Sequence, residues 1–420
     1  MAQGVQVIRA VSLGHRMPGA GAKPLESVHG ALASRWRHPA EVVAGPPYPV
    51  GARRELLGFQ ARGAWWDLLE ELQVTLLVTR EYEHLVMALG AEHGSPEISY
   101  LALPHPSGLA VDRSSGQVYV ASTRNPNQIY ELSPLQGVLE RTDMVVERPA
   151  GKPLFPSTSR FFPGALYIHD LAIVSGKLHA NAVGINSVIE VSGSSYRPVW
   201  WPHCVDSDGG PLGDKNYIQL NSIAAGDGLQ NSYFSASTTR VGFRRPGHRN
   251  FAVDKRGVVF HGGTRDVAVA GLTRPHSARI HDGSLWVDNS GYGELARADG
   301  QGGGTAYEVV LRLPGWTRGL CFSGDIAFVG TSRVLPRFRQ YAPGLEQSRS
   351  VCGVHAVDLR ASRVLGSIIW PSGNQIFALE WLPRRVCTGL PYRAKGRTRD
   401  EARPLFYVFD NQSCTDRKEG

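Results

Sequence analysis

The residues best suited to chemistry are two histidines and an arginine that recur at one place in a repeated pattern. His169, His276 and Arg318 each open a short run: a polar residue, a small or acidic residue, an apolar residue and usually a small one. The same run begins at Ser107, Asn221 and Gln375, so six copies follow one another at intervals of 42 to 62 residues. Two imidazoles and the Asn221 amide oxygen form a donor set that could take a divalent cation. Imidazole suits zinc, copper, iron or nickel, and an oxygen-rich shell suits calcium or magnesium. Such a metal would polarise a carbonyl or activate a bound water. The metal ligands expected on this reading are His169, Asn221 and His276. The competing reading is that each imidazole only bonds a neighbouring backbone group, and a third is direct substrate contact without metal. The planar fork of Arg318 suits a carboxylate or phosphate, with a salt bridge between repeats as its competitor. Asp170 follows His169 directly, so on a strand it faces the other way. It is expected to pair with a neighbouring repeat rather than act as a general base.

The intervals are what four-stranded propeller blades with loop insertions require. A second pattern follows five of the runs: VYVAST (118–123), LHANAV (178–183), YFSAST (233–238), LWVDNS (285–290) and AFVGTS (327–332). Each is an alternating strand ending in small polar residues. No copy follows Gln375. The missing one stands near the N-terminus as LLVTRE (76–81), with HLVMALG (84–90) as its next strand. That displacement is the signature of a ring whose last blade is completed by an N-terminal strand, which removes the open edges of the sheet array. The sequence therefore predicts an all-β chain: a six-bladed β-propeller over 61–420, with an inner strand at about 375–382 paired beside 76–81. Trp65 to Leu72 reads as a short lead-in helix. Residues 1–60 are Gly-, Pro- and Ala-rich and are expected to be peripheral. Residues 384–403 read as a basic insertion before a last strand, PLFYVF (404–409).

In a blade the start of the first strand and the end of the second meet at one mouth of the channel. This adds Arg80, Thr123, Asn181, Asn289 and Thr331 to the six repeat-opening residues, and Tyr292 lies in a turn just past Asn289. Arg80, Ser107, Asn181, Asn221, Asn289 and Tyr292 are the expected substrate contacts. His169, His276 and Arg318 are the expected catalytic residues.

Composition bounds the rest. The 420 residues are 42% hydrophobic and 20% charged, an ordinary globular balance. No run approaches the ~20 apolar residues of a membrane span, and the first residues do not read as a signal peptide. Five widely spaced cysteines without a CxxC pair argue against a zinc knuckle or disulfide framework, and a reducing cytoplasm is the expected setting. The net charge of +8 is concentrated at 240–256 and 384–403. Neither stretch interleaves aromatics in a stacking pattern, which argues against nucleic acid. VSGSSY (191–196) lacks a nucleophile elbow. GQGGGT (300–305) lacks the lysine and setting of a phosphate loop, and DSDGGPLGD (206–214) lacks EF-hand spacing.

RPHSARIHDGSLWVDNSGYGEL (274–295) and LPGWTRGLCFSGDIAFVGTS (313–332) resemble a bacterial family of uncharacterised proteins. LPHPSGLAVD and YIQLNSIAAG resemble it too, and the likeness spans roughly 65–385. It implies a propeller and carries over no catalytic residue. More distantly, the blade grammar resembles NHL-type propellers and the gluconolactonase and strictosidine-synthase group, which implies hydrolase, lyase or condensation chemistry. Two functional readings stand. One is an enzyme, with or without a metal, acting on a small or peptide-borne substrate at the channel mouth. The alternative is a scaffold that binds a peptide, glycan or partner protein without chemistry.

Overall fold

The computed structural model describes residues 52–124, 127–135, 138–139, 151–244, 246–248, 251–298, 306–394 and 408–409. Its strands form six antiparallel sheets arranged as the blades of a six-bladed β-propeller. The inner strands are Pro106–Val111, Ile168–Val174, Leu220–Ala224, Pro275–His281, Trp316–Ser323 and Leu379–Pro383. They begin blades 1 to 6 in that order. Blades 2 to 5 each run outward through three further consecutive strands, and blade 1 does so through Val118–Ser122, Gln128–Pro134 and Leu154–Phe161, with Val138–Leu139 standing outside the blade.

Blade 6 closes the ring as expected. Val74–Arg80 lies against Leu379–Pro383, with Val74 opposite Pro383 and Val78 opposite Leu379. Leu85–Glu92 and Ser95–Ala102 complete it, and Tyr392–Arg393 adds at the outer edge. The inner strand is shorter than the expected 375–382, because Gln375, Ile376 and Phe377 bend off its start. Backbone bonds from Thr79 to Ala378 and from Phe377 to Thr79 still hold that bend in the blade.

The N-terminal approach is tied to blade 5. Gln60–Gly63 pairs with Arg363–Ile369 as a fifth strand, and the helix Trp65–Glu71 buries Trp65, Leu68 and Leu69. Leu57, in the helical turn Arg54–Leu57, is also buried. Residues 1–51, which make up most of the segment expected to be peripheral, lie outside the described residues. So do 404–407 of the expected last strand. Val408–Phe409 pairs with Val138–Leu139.

Apolar side chains fill the seams between blades. Between blades 2 and 3, the Trp200 ring stacks on Phe234 with centroids 3.9 Å apart. Among the described residues, no helix is long and apolar enough to cross a membrane.

The repeated run has a specific structural meaning. In blades 1 to 5 the pairing of first and second strands shifts register at the run, between Pro106 and Leu109, Ile168 and Leu171, Leu220 and Ser222, His276 and Arg279, and Thr317 and Leu320. Each is a β-bulge, a device that re-aims a side chain. The second residue of the run then reaches the next blade. Asp170 accepts from the Ile223 amide at 3.0 Å, Ser222 from the Ala278 amide at 2.8 Å and Ser277 from the Gly319 amide at 2.7 Å. Blade 1 has Gly108 here, and a Cβ at that position would meet Asp170 Cα at 2.5 Å. Blades are thus stitched together at the bulges, around the channel.

Candidate functional site

The bulges bring His169, Asn221, His276 and Arg318 to one mouth of the channel. The rings of His169 and His276 lie 6.1 Å apart, centroid to centroid. Phe377, carried by the bend before the inner strand of blade 6, meets each ring edge-on at 5.4 Å. The Arg318 guanidinium lies over the same phenyl ring, 3.7 Å from its centroid. Phe377 is only 1% exposed and forms an aromatic floor beneath three polar groups.

His276 is fully engaged. Arg318 Nε donates to its Nε2 at 3.0 Å, so Nε2 is the acceptor and Nδ1 carries the proton. Nδ1 lies 3.0 Å from Ser277 Oγ. Burial, reinforced by Arg318, holds the His276 pKa well below the usual histidine value. Burial and then Arg318 do the same to His169, while a side-chain hydrogen bond with Asn221 offsets part of the shift. Both imidazoles are therefore neutral at physiological pH. The Asn221 amide nitrogen donates to the Pro275 carbonyl at 2.8 Å and to Ser237 Oγ at 3.2 Å.

The charges around these groups are predominantly positive. Arg274, 8% exposed, donates through Nη1 to Gln219 Oε1 and packs over the Tyr341 ring. Its Nε is buried without a partner. Burial lowers the pKa of Arg274 to about 10, and Arg318 adds to this. Burial likewise lowers Arg318 to about 10. Their carboxylate neighbour is Glu81. With its amide oriented to satisfy both sides, Gln375 accepts from Arg318 and donates to Glu81 Oε2 at 3.0 Å. Glu81 also takes Arg124 Nε at 3.2 Å. Burial pushes the Glu81 carboxyl above its ordinary value, against the pull of Arg318 and Arg124.

Four of the other expected substrate contacts, Arg80, Ser107, Asn289 and Tyr292, are engaged elsewhere. Arg80 is fully buried, bonds the Leu56 carbonyl at 2.5 Å and stacks on Trp370. Strand alternation sends it outward and puts the next residue, Glu81, at the mouth. Ser107 Oγ bonds the carbonyls of Ala121 and Ile168. Asn289 accepts from the Thr273 amide and donates to Glu294, so it fastens a loop. Tyr292 donates to Asp254 and packs under Gly344. Asn181 is fully buried with neither amide atom hydrogen-bonded, and Thr331 bonds His355. The ends of the second strands are thus mainly blade-internal, because their side chains alternate into the seams. Asp170 pairs with Arg279 at 3.0 Å, across to blade 4, as expected for a structural carboxylate.

The groups that sequence reasoning missed are Glu81, Arg274 and Phe377. Arg274 sits two residues before His276 and at φ 55, in a turn that periodicity does not reveal. Phe377 carried the apolar signature of a core residue, which it also is.

As a metal centre the set has two imidazoles and an amide, with a guanidinium already bonded to one imidazole. Among the described residues no group of three His, Cys, Asp or Glu side chains is placed to hold a metal ion.

No curated protein matches the chain. Among solved structures, the nidogen/laminin complex contains a chain that is 11% identical, with a TM-score of 0.50. The match covers 75% of this chain and all of that one. A gluconolactonase from Xanthomonas campestris is 14% identical, with a TM-score of 0.42, over 64% of this chain and 77% of that one. At these identities the first likeness shows the propeller fold alone. Residues 63–390 match the model of a family described as a domain of unknown function, DUF4915, and the chain belongs to that family.

Proposed function

We propose that the propeller binds a small organic anion at the channel mouth, held between Arg274 and Arg318. The observation that carries this reading is the pair of neighbouring buried guanidinium groups. Arg274 has only a neutral amide and an aromatic ring as partners. A buried charge without a counter-charge costs several kcal/mol. An anion between the two guanidiniums removes that cost, and the neutral imidazoles avoid adding to it. Gln375, His276 and the Phe377 ring fix the Arg318 fork before a ligand arrives. That preorganisation favours affinity and selectivity.

The same charges weigh against a divalent cation at His169, Asn221 and His276. Two nearby guanidiniums repel it, and His276 Nε2 is already accepting a hydrogen bond. They also weigh against His169 as a strong general base, because a depressed pKa makes it a weak one. The reading is therefore recognition of an anion first, with no nucleophile assigned.

The test is isothermal titration of the full chain with inorganic phosphate and with short carboxylates. At least one anion should bind, and Arg318→Gln and Arg274→Gln should each weaken it about tenfold or more. Anion binding that survives both substitutions would place the site elsewhere.

A further inference from the structure

We propose that the chain carries a second anion site, apart from the channel mouth, which takes a phosphomonoester. It stands independently of the anion site at the mouth. The loop between the second and third strands of blade 5 makes two short helical turns, Pro336–Tyr341 and Gln347–Arg349. These turns and Asn374, in the approach to blade 6, border a cleft of about 610 Å³. Its polar lining includes Arg333, Arg339, Gln347, Ser348 and Asn374, and none of the residues gathered at the mouth lines it. That volume falls within the range of small-molecule sites.

The cleft is braced before a ligand arrives. The Ser350 hydroxyl donates to the Gln347 carbonyl at 2.7 Å and accepts from the Val334 amide at 2.9 Å, so it joins both ends of the loop. The Arg333 amide donates to the Asn374 carbonyl at 2.8 Å, which ties the loop to the approach of blade 6. Val334 is buried in one apolar cluster with Trp316 and Tyr341.

The charge left in the cleft is positive. Its one carboxylate, Glu346, is taken by Arg349 at 2.9 Å and by the Ser348 hydroxyl at 2.6 Å. Glu83, which accepts from the Asn374 amide, is buried and faces Arg80. The Arg333 guanidinium donates to the Pro371 carbonyl at 2.5 Å, which orients it and leaves its charge uncompensated. Arg339 is exposed and forms no ion pair among the described residues. Two guanidiniums thus line one cleft whose carboxylate is already engaged. A monoanionic carboxylate would answer one of them. A phosphomonoester carries about −1.5 to −2 charges at neutral pH and three acceptor oxygens, which match two. Guanidinium forks bond phosphate oxygens in pairs. The Gln347 and Asn374 side-chain amides both donate and accept, and with Leu335 they suit the organic group of the ester.

The experiment is titration calorimetry of the full chain with glycerol 3-phosphate, phenyl phosphate, inorganic phosphate and acetate. It compares wild type with Arg333→Gln, Arg339→Gln and Arg318→Gln. Arg333 and Arg339 are exposed, so the fold should tolerate both changes, and unchanged melting temperatures check this. At least one ester should bind more tightly than acetate. Its affinity should fall about tenfold in Arg333→Gln and in Arg339→Gln, and not in Arg318→Gln. It should also fall several-fold between about pH 7.5 and about pH 5, as the second phosphate proton, with a pKa of about 6, returns. Ester binding indifferent to Arg333→Gln and Arg339→Gln or to this pH change, acetate binding as tight as either ester's, or binding of inorganic phosphate alone would overturn the proposal. An ester lost only in Arg318→Gln would also overturn it, while supporting the anion site at the mouth. No binding by either ester would overturn it and leave the mouth to be judged by its carboxylates.

Discussion

Arg318 Nε donates to His276 Nε2 at 3.0 Å, and this one bond orders the mouth of the channel. It fixes the imidazole tautomer, adds to the burial that keeps the ring neutral and accompanies the seating of the guanidinium over Phe377. It joins blades 4 and 5 and draws in blade 6, whose Gln375 and Phe377 touch the same arginine.

Arg274 is a group kept at a cost to stability. Replacing a buried ion by an apolar side chain of similar volume is often neutral or stabilising. Arg274→Met should leave the ligand-free protein as stable as before, or up to about 2 kcal/mol more stable, while weakening anion binding. Urea unfolding without added anion checks the first part. A loss of several kcal/mol would mean that Arg274 is structural.

Asp170 works in the opposite direction. Its carboxylate takes the Ile223 amide and Arg279, and Arg279 also faces Glu380. Asp170→Ala leaves Arg279 buried with one weaker partner and should cost about 3–5 kcal/mol. A melting temperature unchanged from wild type would contradict the stitching role of the bulge residues.

Closure depends on one hydroxyl. Thr79 Oγ1 donates to the Ser107 carbonyl at 2.7 Å and accepts from the Ala378 amide at 2.9 Å. It therefore joins blades 6 and 1 and both ends of the ring. Thr79→Val keeps the shape and strands both backbone groups, a change expected to cost about 1–3 kcal/mol. Denaturant midpoints with an unchanged m-value provide the measurement, and a neutral result would show that the seam does not need the hydroxyl.

Acid should weaken the fold through its buried histidines. Burial lowers His355 to about 4, between hydroxyl partners Thr331 and Ser367. A histidine depressed in the folded state stabilises the fold above its unfolded value of ~6.5. That stability is lost as pH falls from there through the folded value. His169 and His276 act in the same sense. Glu81 and Asp288 are raised by burial and act in the opposite sense, their contribution fading as pH rises. His355→Gln removes one histidine term alone. The stability gained by wild type over this variant between pH 5 and 7 should differ from zero by about 2 kcal/mol. Parallel pH profiles for the two proteins would refute it.

Most of the fold was legible because ring closure displaces one repeat to the other end of the chain, and LLVTRE at 76–81 showed where it had gone. The rim was only half legible. The repeat placed His169, Asn221, His276 and Arg318 at one height, since equivalent positions in a rotational repeat share a radius and a level. It could not show that bulges re-aim the side chains, nor that Arg80 and Asn289 alternate into the seams. Glu81, one residue past Arg80, takes the place assigned to it. Arg274 stayed hidden because its approach comes from a left-handed turn rather than from a strand. The bend before Leu379 is also non-repetitive, and it is what carries Phe377 beneath the imidazoles.

The most direct test is an experimental structure of the protein grown with a saturating short carboxylate. The account predicts the carboxylate within hydrogen-bond distance of both Arg274 and Arg318, above Phe377. A metal ion bonded to His169 and His276 would contradict it, as would a ligand bound away from the channel mouth.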